Sequence, residues 1–285
     1  MGRAAFPLAV TATPAEVGTA PILLRGDPAG AFRQAAELGC AGVEIHVREA
    51  ADVDARAIRR LMADYRLEVP TLGTGMAATV DGLSFAHAEA EVRRRAVERV
   101  CGHVELAAEL GSAVTIGSVS GRLGVMDEAE RARRRQAALE ALAAVCARAG
   151  RLGVTVLLEP LNRYECDYLN TLAEARRAAE EIGAGNLRLL ADTFHMNIEE
   201  RDLAASFRAA AERLGHVHLA DSNRQAPGRG HLDVAAVLRV LEEIGYRGFI
   251  SFEVFPIPDA VTAVREGIRT IQRAAGEDML AEKGK

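Results

Sequence analysis

The sequence predicts a single (β/α)8 TIM barrel spanning residues 1–285. Three observations predict it. Eight short β-rich runs alternate with helical patterns along the chain, and strict β-α alternation at this length favours a closed parallel barrel. Six helical patterns end in Leu-Gly or Ile-Gly just before a β-rich run. No stretch rich in Pro, Ser or Gly divides the chain, so no domain boundary is expected.

The first run is PLAVTA, from residue 7. EVPTLGTG, from residue 68, is the third. Each of the other six follows a Leu-Gly or Ile-Gly pair. Leu38-Gly39 precedes GVEIHV, Leu110-Gly111 precedes AVTIGSV, and Leu152-Gly153 precedes TVLLEPL. Ile182-Gly183 precedes LRLLADT, Leu214-Gly215 precedes HVHLAD, and Ile244-Gly245 precedes GFISFEV. Glycine takes the left-handed conformation that closes a helix, so each pair reads as helix stop, turn and strand start.

The intervening segments carry helical spacing. Val97, Val100, Val104 and Ala107 share one face of residues 91–110, and Leu139, Leu142 and Cys146 share one face of residues 133–150. Thr171 and Glu174 form a capping box that opens the helix after the fifth strand. A doubly wound sheet is the main competitor, but no strand is followed by a G-x-G-x-x-G turn or a P-loop. The polar tail after about residue 275 reads as frayed.

Composition narrows the function. The net charge is −5 and basic residues form no block, which argues against nucleic-acid and membrane partners. Cys40, Cys101, Cys146 and Cys166 are widely spaced, which fits a reduced cytoplasmic protein better than a disulfide framework. No apolar run approaches the ~20 residues of a membrane span. The N-terminus lacks the long apolar core of a signal peptide. Gly2 suggests myristoylation, but Phe6 stands where Ser or Thr is wanted.

The last four strands end in chemistry. Glu159, Asp192, His218 and Glu253 each lie at or near a strand end. Parallel strands run the same way, so all four emerge at the C-terminal rim, where barrel enzymes place their sites. Alone, each has a plain explanation: a cap, an ion-pair partner or a core histidine. Together on four neighbouring strands they argue for a cation site, because three close carboxylates repel unless a metal neutralises them. Hard oxygens plus one imidazole favour Mn²⁺, Co²⁺ or Mg²⁺ over a structural zinc.

His195, Arg224 and Glu165 follow these strands and are expected on loops over the same rim. Arg229 reads as a solvated loop charge, His231 as loop packing, and Asp233 as the N-cap of the next helix. Glu44 and His46 alternate with Val43, Ile45 and Val47, so they face the barrel interior, where they reach the pocket or pair with each other. The segment MNIEE after His195 reads as a loop, with no chemistry for Glu199 or Glu200.

The segments EPLNRYE…NT, ADTFHMNIEE, HLADSNRQAPGRGHLD and GYRGFISFEVF resemble the ketose 3-epimerases, which act on D-tagatose, D-psicose or L-ribulose. That group sits within the xylose-isomerase-like barrel superfamily. LGTGMAATVDGLSFAH and VRRRAVERV look closest to the 5-keto-L-gluconate epimerase branch. The resemblance implies that Glu159, Asp192, His218 and Glu253 hold the metal and that the two glutamates are the acid/base pair. It implies substrate contacts around C1 to C3 from His195, Arg224 and Glu165. It also implies a homodimer or homotetramer. This chain has no tryptophan, whereas some members use one on the loop after strand four; the ketohexose preference therefore stays open.

The implied reaction inverts C3 of a free keto-sugar or keto-sugar acid. It requires a base on each face of the substrate, with a divalent metal polarising the carbonyl. Three alternatives remain. An aldose–ketose isomerase resembling hydroxypyruvate isomerase shares the glutamate pair. A nuclease resembling endonuclease IV needs further His ligands, which TLGTG and TIGSVSG lack. A non-catalytic sugar-binding barrel is opposed only by the intact acid/base pair. A phosphate ester is disfavoured, since APGRGH is the one Gly-containing turn of that kind after the seventh strand.

Overall fold

The structure, a computed structural model, describes residues 6–15, 18 and 20–282, with side chains as far as 276. The strands are β1 (Leu8–Thr13), β2 (Leu24–Arg25), β3 (Gly42–His46), β4 (Thr71–Gly73), β5 (Ala113–Ile116), β6 (Val156–Leu158), β7 (Leu187–Asp192), β8 (Leu214–His218) and β9 (Ile250–Phe252). The helices are α1 (Pro28–Glu37), α2 (Ala55–Tyr65), α3 (Met76–Thr79), α4 (Ala90–Leu110) and α5 (Glu128–Arg151), then α6 (Leu172–Ile182), α7 (Thr193–Glu199), α8 (Leu203–Ala210), α9 (Val234–Glu243) and α10 (Ala260–Glu282).

Every strand pairing is parallel, and neighbours follow chain order from β3 to β9. β1 pairs with β3 on one side (Ala9 with Gly42) and with β9 on the other (Leu8 with Ile250), which closes an eight-stranded barrel. β2 was not expected. It takes over beside the last residues of β1, Ala12 and Thr13, where β9 has ended. Two residues are too short for any periodicity to announce.

The helical faces fall as the spacing predicts. Val100, Val104 and Ala107 of α4 and Leu139, Leu142 and Cys146 of α5 are buried against the barrel, while Val97 is partly buried. Apart from exposed Arg25 and Arg188, the strands are largely buried on both faces, as parallel strands beneath helices must be: Val156, Leu157 and Leu158 are all in the core. The capping box at Thr171 and Glu174 is present.

Five of the six expected glycine stops hold. Gly39, Gly111, Gly153, Gly183 and Gly245 have φ between 69° and 79°. Leu214-Gly215 differs. The preceding helix ends in a 3₁₀ turn at Ala211–Arg213, and both residues already belong to β8. Leu189 pairs with Leu214 and Leu190 with His216, so Gly215 is the extra residue of a bulge. A Cβ there would lie 2.7 Å from Leu157 Cδ2 and 2.8 Å from Arg188 Cβ. This glycine serves close approach, not a left-handed turn.

Two further expectations change. The segment after His195 is helical: α7 runs to Glu199. The tail is helical to Glu282, while residues 283–285 and Gly2 lie outside the described residues. Among the described residues, no helix is long and apolar enough to cross a membrane.

Candidate active site

Glu159 directly follows β6 and Glu253 directly follows β9, while Asp192 and His218 are the last residues of β7 and β8. Asp192 and His218 are register partners. Parallel order therefore brings all four to one rim. One ligand-type atom from each lies within 4.8 Å of the others, and all four residues are buried. His218 Nδ1 is 3.3 Å from Glu159 Oε1, 3.4 Å from Asp192 Oδ2 and 3.3 Å from Glu253 Oε2.

The electrostatics are unbalanced. Burial pushes the Glu159 carboxyl up, and the charges on Glu253 and Asp192 add to that. Burial also acts on Asp192 and Glu253, but the Arg224 guanidinium outweighs it and holds both below the ordinary range. Burial opposes charge on His218, yet the surrounding carboxylates, Glu44 first, raise it well above the usual value. Among the described buried atoms, Glu159 Oε1 and His218 Nδ1 have no hydrogen-bond partner. Buried polar atoms are normally satisfied. These two atoms, facing each other among three carboxylates, belong to a set of oxygens and one imidazole nitrogen that could hold a divalent cation.

Asp192 divides its carboxylate. Oδ1 accepts from the backbone N–H of Phe194 (2.8 Å) and His195 (3.4 Å), capping α7. Oδ2 faces the site and accepts from Arg224 Nη1 at 2.7 Å. Arg224 Nη2 donates to Glu253 Oε2, and the guanidinium carbon sits 4.8 Å over the Phe194 ring. Arg224 has φ 61°, a left-handed backbone that aims its side chain inward from the loop after β8.

His195 has a fixed tautomer. Its Nδ1 accepts from the Asn162 backbone N–H (3.2 Å) and lies 2.8 Å from Asn162 Nδ2. The proton is therefore on Nε2. That Nε2 lies 3.4 Å from Arg224 Nη1, so two donors sit side by side facing one space. Glu165 Oε1 accepts from Asn162 Nδ2 at 2.8 Å and is 3.9 Å from His195 Nδ1, with its side chain half exposed. All seven expected site residues converge on the rim.

The cavity above them has a volume of about 390 Å³. Its lining combines the polar groups of Glu159, Glu165, His195, Arg224, Glu253 and His46 with the apolar side chains of Ile22, Met76, Val80 and Leu161. Both readings of Glu44 and His46 hold. Glu44 Oε1 meets His46 Nε2 at 3.0 Å, and His46 lines the cavity 3.8 Å from Glu253 Oε1. Glu44 also contacts His218 Nε2 at 3.1 Å. Sequence reasoning missed Asn162, since nothing in EPLNRYE singles out its amide. It also missed His216, whose two-residue spacing from His218 was the available signal.

The remaining residues take plain roles. Asp233 caps α9 through Ala236 N. Arg229 pairs with Glu266, and His231 Nδ1 meets Ser222 Oγ at 2.9 Å. Glu199 pairs with Arg163, and Glu200 accepts from Leu172 N and Ser206 Oγ.

A family model for the xylose isomerase-like TIM barrel matches residues 32–274. L-ribulose 3-epimerase of Mesorhizobium japonicum is 36% identical over 223 residues, covering 77% of this chain and 72% of that protein. 3-dehydro-D-guloside 4-epimerase of Escherichia coli K12 is 44% identical over 105 residues, which span 37% of this chain and 40% of that protein. A solved structure of L-ribulose 3-epimerase superposes with a TM-score of 0.79 at 27% identity, covering 97% of this chain and 98% of that one. Barrel order, rim chemistry and these likenesses agree, and the chain belongs to the xylose isomerase-like TIM barrel family as an isomerase of its ketose 3-epimerase group.

Proposed function

We propose that this protein is a divalent-metal-dependent epimerase inverting C3 of a free keto-sugar or keto-sugar acid. The observation that carries the proposal is the ring of Glu159, Asp192, His218 and Glu253 with two orphaned buried atoms at its centre. The hard-oxygen donor set suits Mn²⁺ first, with Co²⁺ or Mg²⁺ as substitutes. A cation held there neutralises the carboxylates and polarises the ketone.

The chain's own groups do the rest. Glu159 Oε1 and Glu253 Oε2 point at His218 Nδ1, so their other oxygens are left for proton transfer. One glutamate removes the C3 proton, and the electron pair moves into a C2–C3 double bond with negative charge on O2. The paired donors, His195 Nε2–H and Arg224, stabilise that enediolate charge. The opposite glutamate returns a proton to the other face, and C3 is inverted. Which glutamate acts as base follows from the substrate's configuration. Positioned acid/base groups of this kind contribute roughly 10²–10⁴-fold.

A homodimer or homotetramer belongs to the same reading, on the family resemblance. So does a cytoplasmic setting, which four free thiols support. The test is a substrate panel of D-tagatose, D-fructose, D-psicose, L-ribulose and 5-keto-L-gluconate with Mn²⁺ in D₂O. Deuterium at C3 of an epimeric ketose is expected. Aldose products, or inversion at C4, overturn C3 epimerisation. Near wild-type turnover by Glu159→Gln or Glu253→Gln overturns the two-base scheme.

A further inference from the structure

Glu44 stands behind the rim, on β3, and is completely buried. Three imidazoles meet its carboxylate. His218 Nε2 lies 3.2 Å from Oε1 and 3.1 Å from Oε2, His216 Nε2 lies 3.2 Å from Oε2, and His46 Nε2 lies 3.0 Å from Oε1. We infer that Glu44 is a positioning residue: it holds His218 with Nδ1 turned toward Glu159, Asp192 and Glu253, and thereby sets the affinity of that centre for a divalent cation. The inference rests on the metal-dependent reading above.

The geometry leaves His218 one arrangement. A carboxylate only accepts hydrogen bonds, so a ring nitrogen facing both oxygens of Glu44 must carry the proton. In the neutral ring the other nitrogen, Nδ1, then holds a lone pair. That is the atom with no other partner, lying 3.3–3.4 Å from three ligand-type oxygens. The other tautomer would turn an N–H toward the cation and leave a lone pair against Glu44, and a flipped ring would present carbons to both.

Glu44 is itself fixed. His216 contacts Oε2 from one side and also lies 2.8 Å from Ser251 Oγ. His46 contacts Oε1 from the other side. The His216 ring stands edge-on to the His218 ring, with centroids 5.4 Å apart and planes at 89°. A carboxylate behind a ligating imidazole fixes its orientation and increases its basicity, and losing such a partner typically weakens metal binding 10–100-fold.

The test uses the full chain, stripped with chelator and titrated with Mn²⁺ while free ion is followed by electron paramagnetic resonance. Wild type is expected to bind one Mn²⁺ per chain, and Glu44→Gln to bind it 10–100-fold more weakly. Absence of binding by wild type defeats the metal reading itself. Binding by wild type with unchanged affinity in folded Glu44→Gln defeats the inference alone. Two ions per chain would place a cation among Glu44, His216 and His218 and also overturn it. A measurement on wild type needs no variant: ¹⁵N-histidine spectra of the Mg²⁺-loaded protein. A His218 proton on Nε2, with Nδ1 unprotonated, is expected. A proton on Nδ1 overturns the inference even where Glu44→Gln fails to fold.

Discussion

Asp192 Oδ1 accepts the backbone N–H of His195, so one carboxylate both starts the helix that carries His195 and faces the site through its other oxygen. The two functions separate by substitution. Asparagine caps helices about as well as aspartate, whereas alanine costs about 1 kcal/mol. Metal-free Asp192→Ala should therefore be about 1 kcal/mol less stable to urea than metal-free Asp192→Asn. Both should lose Mn²⁺ binding. Equal stabilities would show that the cap contributes nothing.

Chelation should act on folding as well as on turnover. A ligand at a hundredfold excess over its dissociation constant stabilises by about 2.7 kcal/mol. For a chain of this size that amounts to a Tm shift of about 4–5 °C. Scanning calorimetry before and after EDTA should show the drop, and Mn²⁺ should restore both Tm and activity. A Tm indifferent to chelator and metal would contradict the cation site.

Gly117 abuts the carboxylate of Glu159, the proposed acid/base. A Cβ on it would fall 2.5 Å from Glu159 Oε2. Gly117→Ala must displace that carboxylate, and misplacement by about 1 Å can cost about 10²-fold in rate. We expect kcat to fall by about that factor while circular dichroism stays native. Unchanged kcat would mean that Glu159 does not work through that oxygen.

Acid stability should depend on Asp81. It receives Arg48 Nε at 2.9 Å and Arg99 Nη1 at 2.6 Å, tying the segment after α3 to the loop after β3 and to α4. The hydrogen bonds from Arg48 push its carboxyl down to about 2, from an ordinary 3.8. A folded value below the unfolded one favours the ionised folded state. The stabilisation is complete above about pH 4 and is lost as pH falls toward 2. Urea midpoints should therefore separate wild type from Asp81→Asn at pH 7 and converge as pH approaches 2. A constant gap would exclude ionisation of Asp81 as the source.

The legible and illegible parts of this molecule divide along physical lines. Glu159, Asp192, His218 and Glu253 are readable because parallel order alone sends the ends of neighbouring strands to one rim. Glu44 is half readable: period-2 alternation turns it inward, but its contact with His218 spans 174 positions and no local pattern encodes it. His195 is readable by its distance from Asp192, while the helix it sits on is not, because α7 is only seven residues long. Gly215 misleads because the same dipeptide can end a helix or relieve crowding, and only the neighbours Leu157 and Arg188 decide which.

The seven rim residues Glu159, Glu165, Asp192, His195, His218, Arg224 and Glu253 lie between 159 and 253, whereas Ile22, Met76 and Val80, which also line the cavity, come from the first half of the chain. The seven rim residues and these three apolar lining residues thus come from separate stretches of the chain. Substitution of Ile22, Met76 or Val80 would change the apolar lining of the cavity and leave all seven rim residues in place.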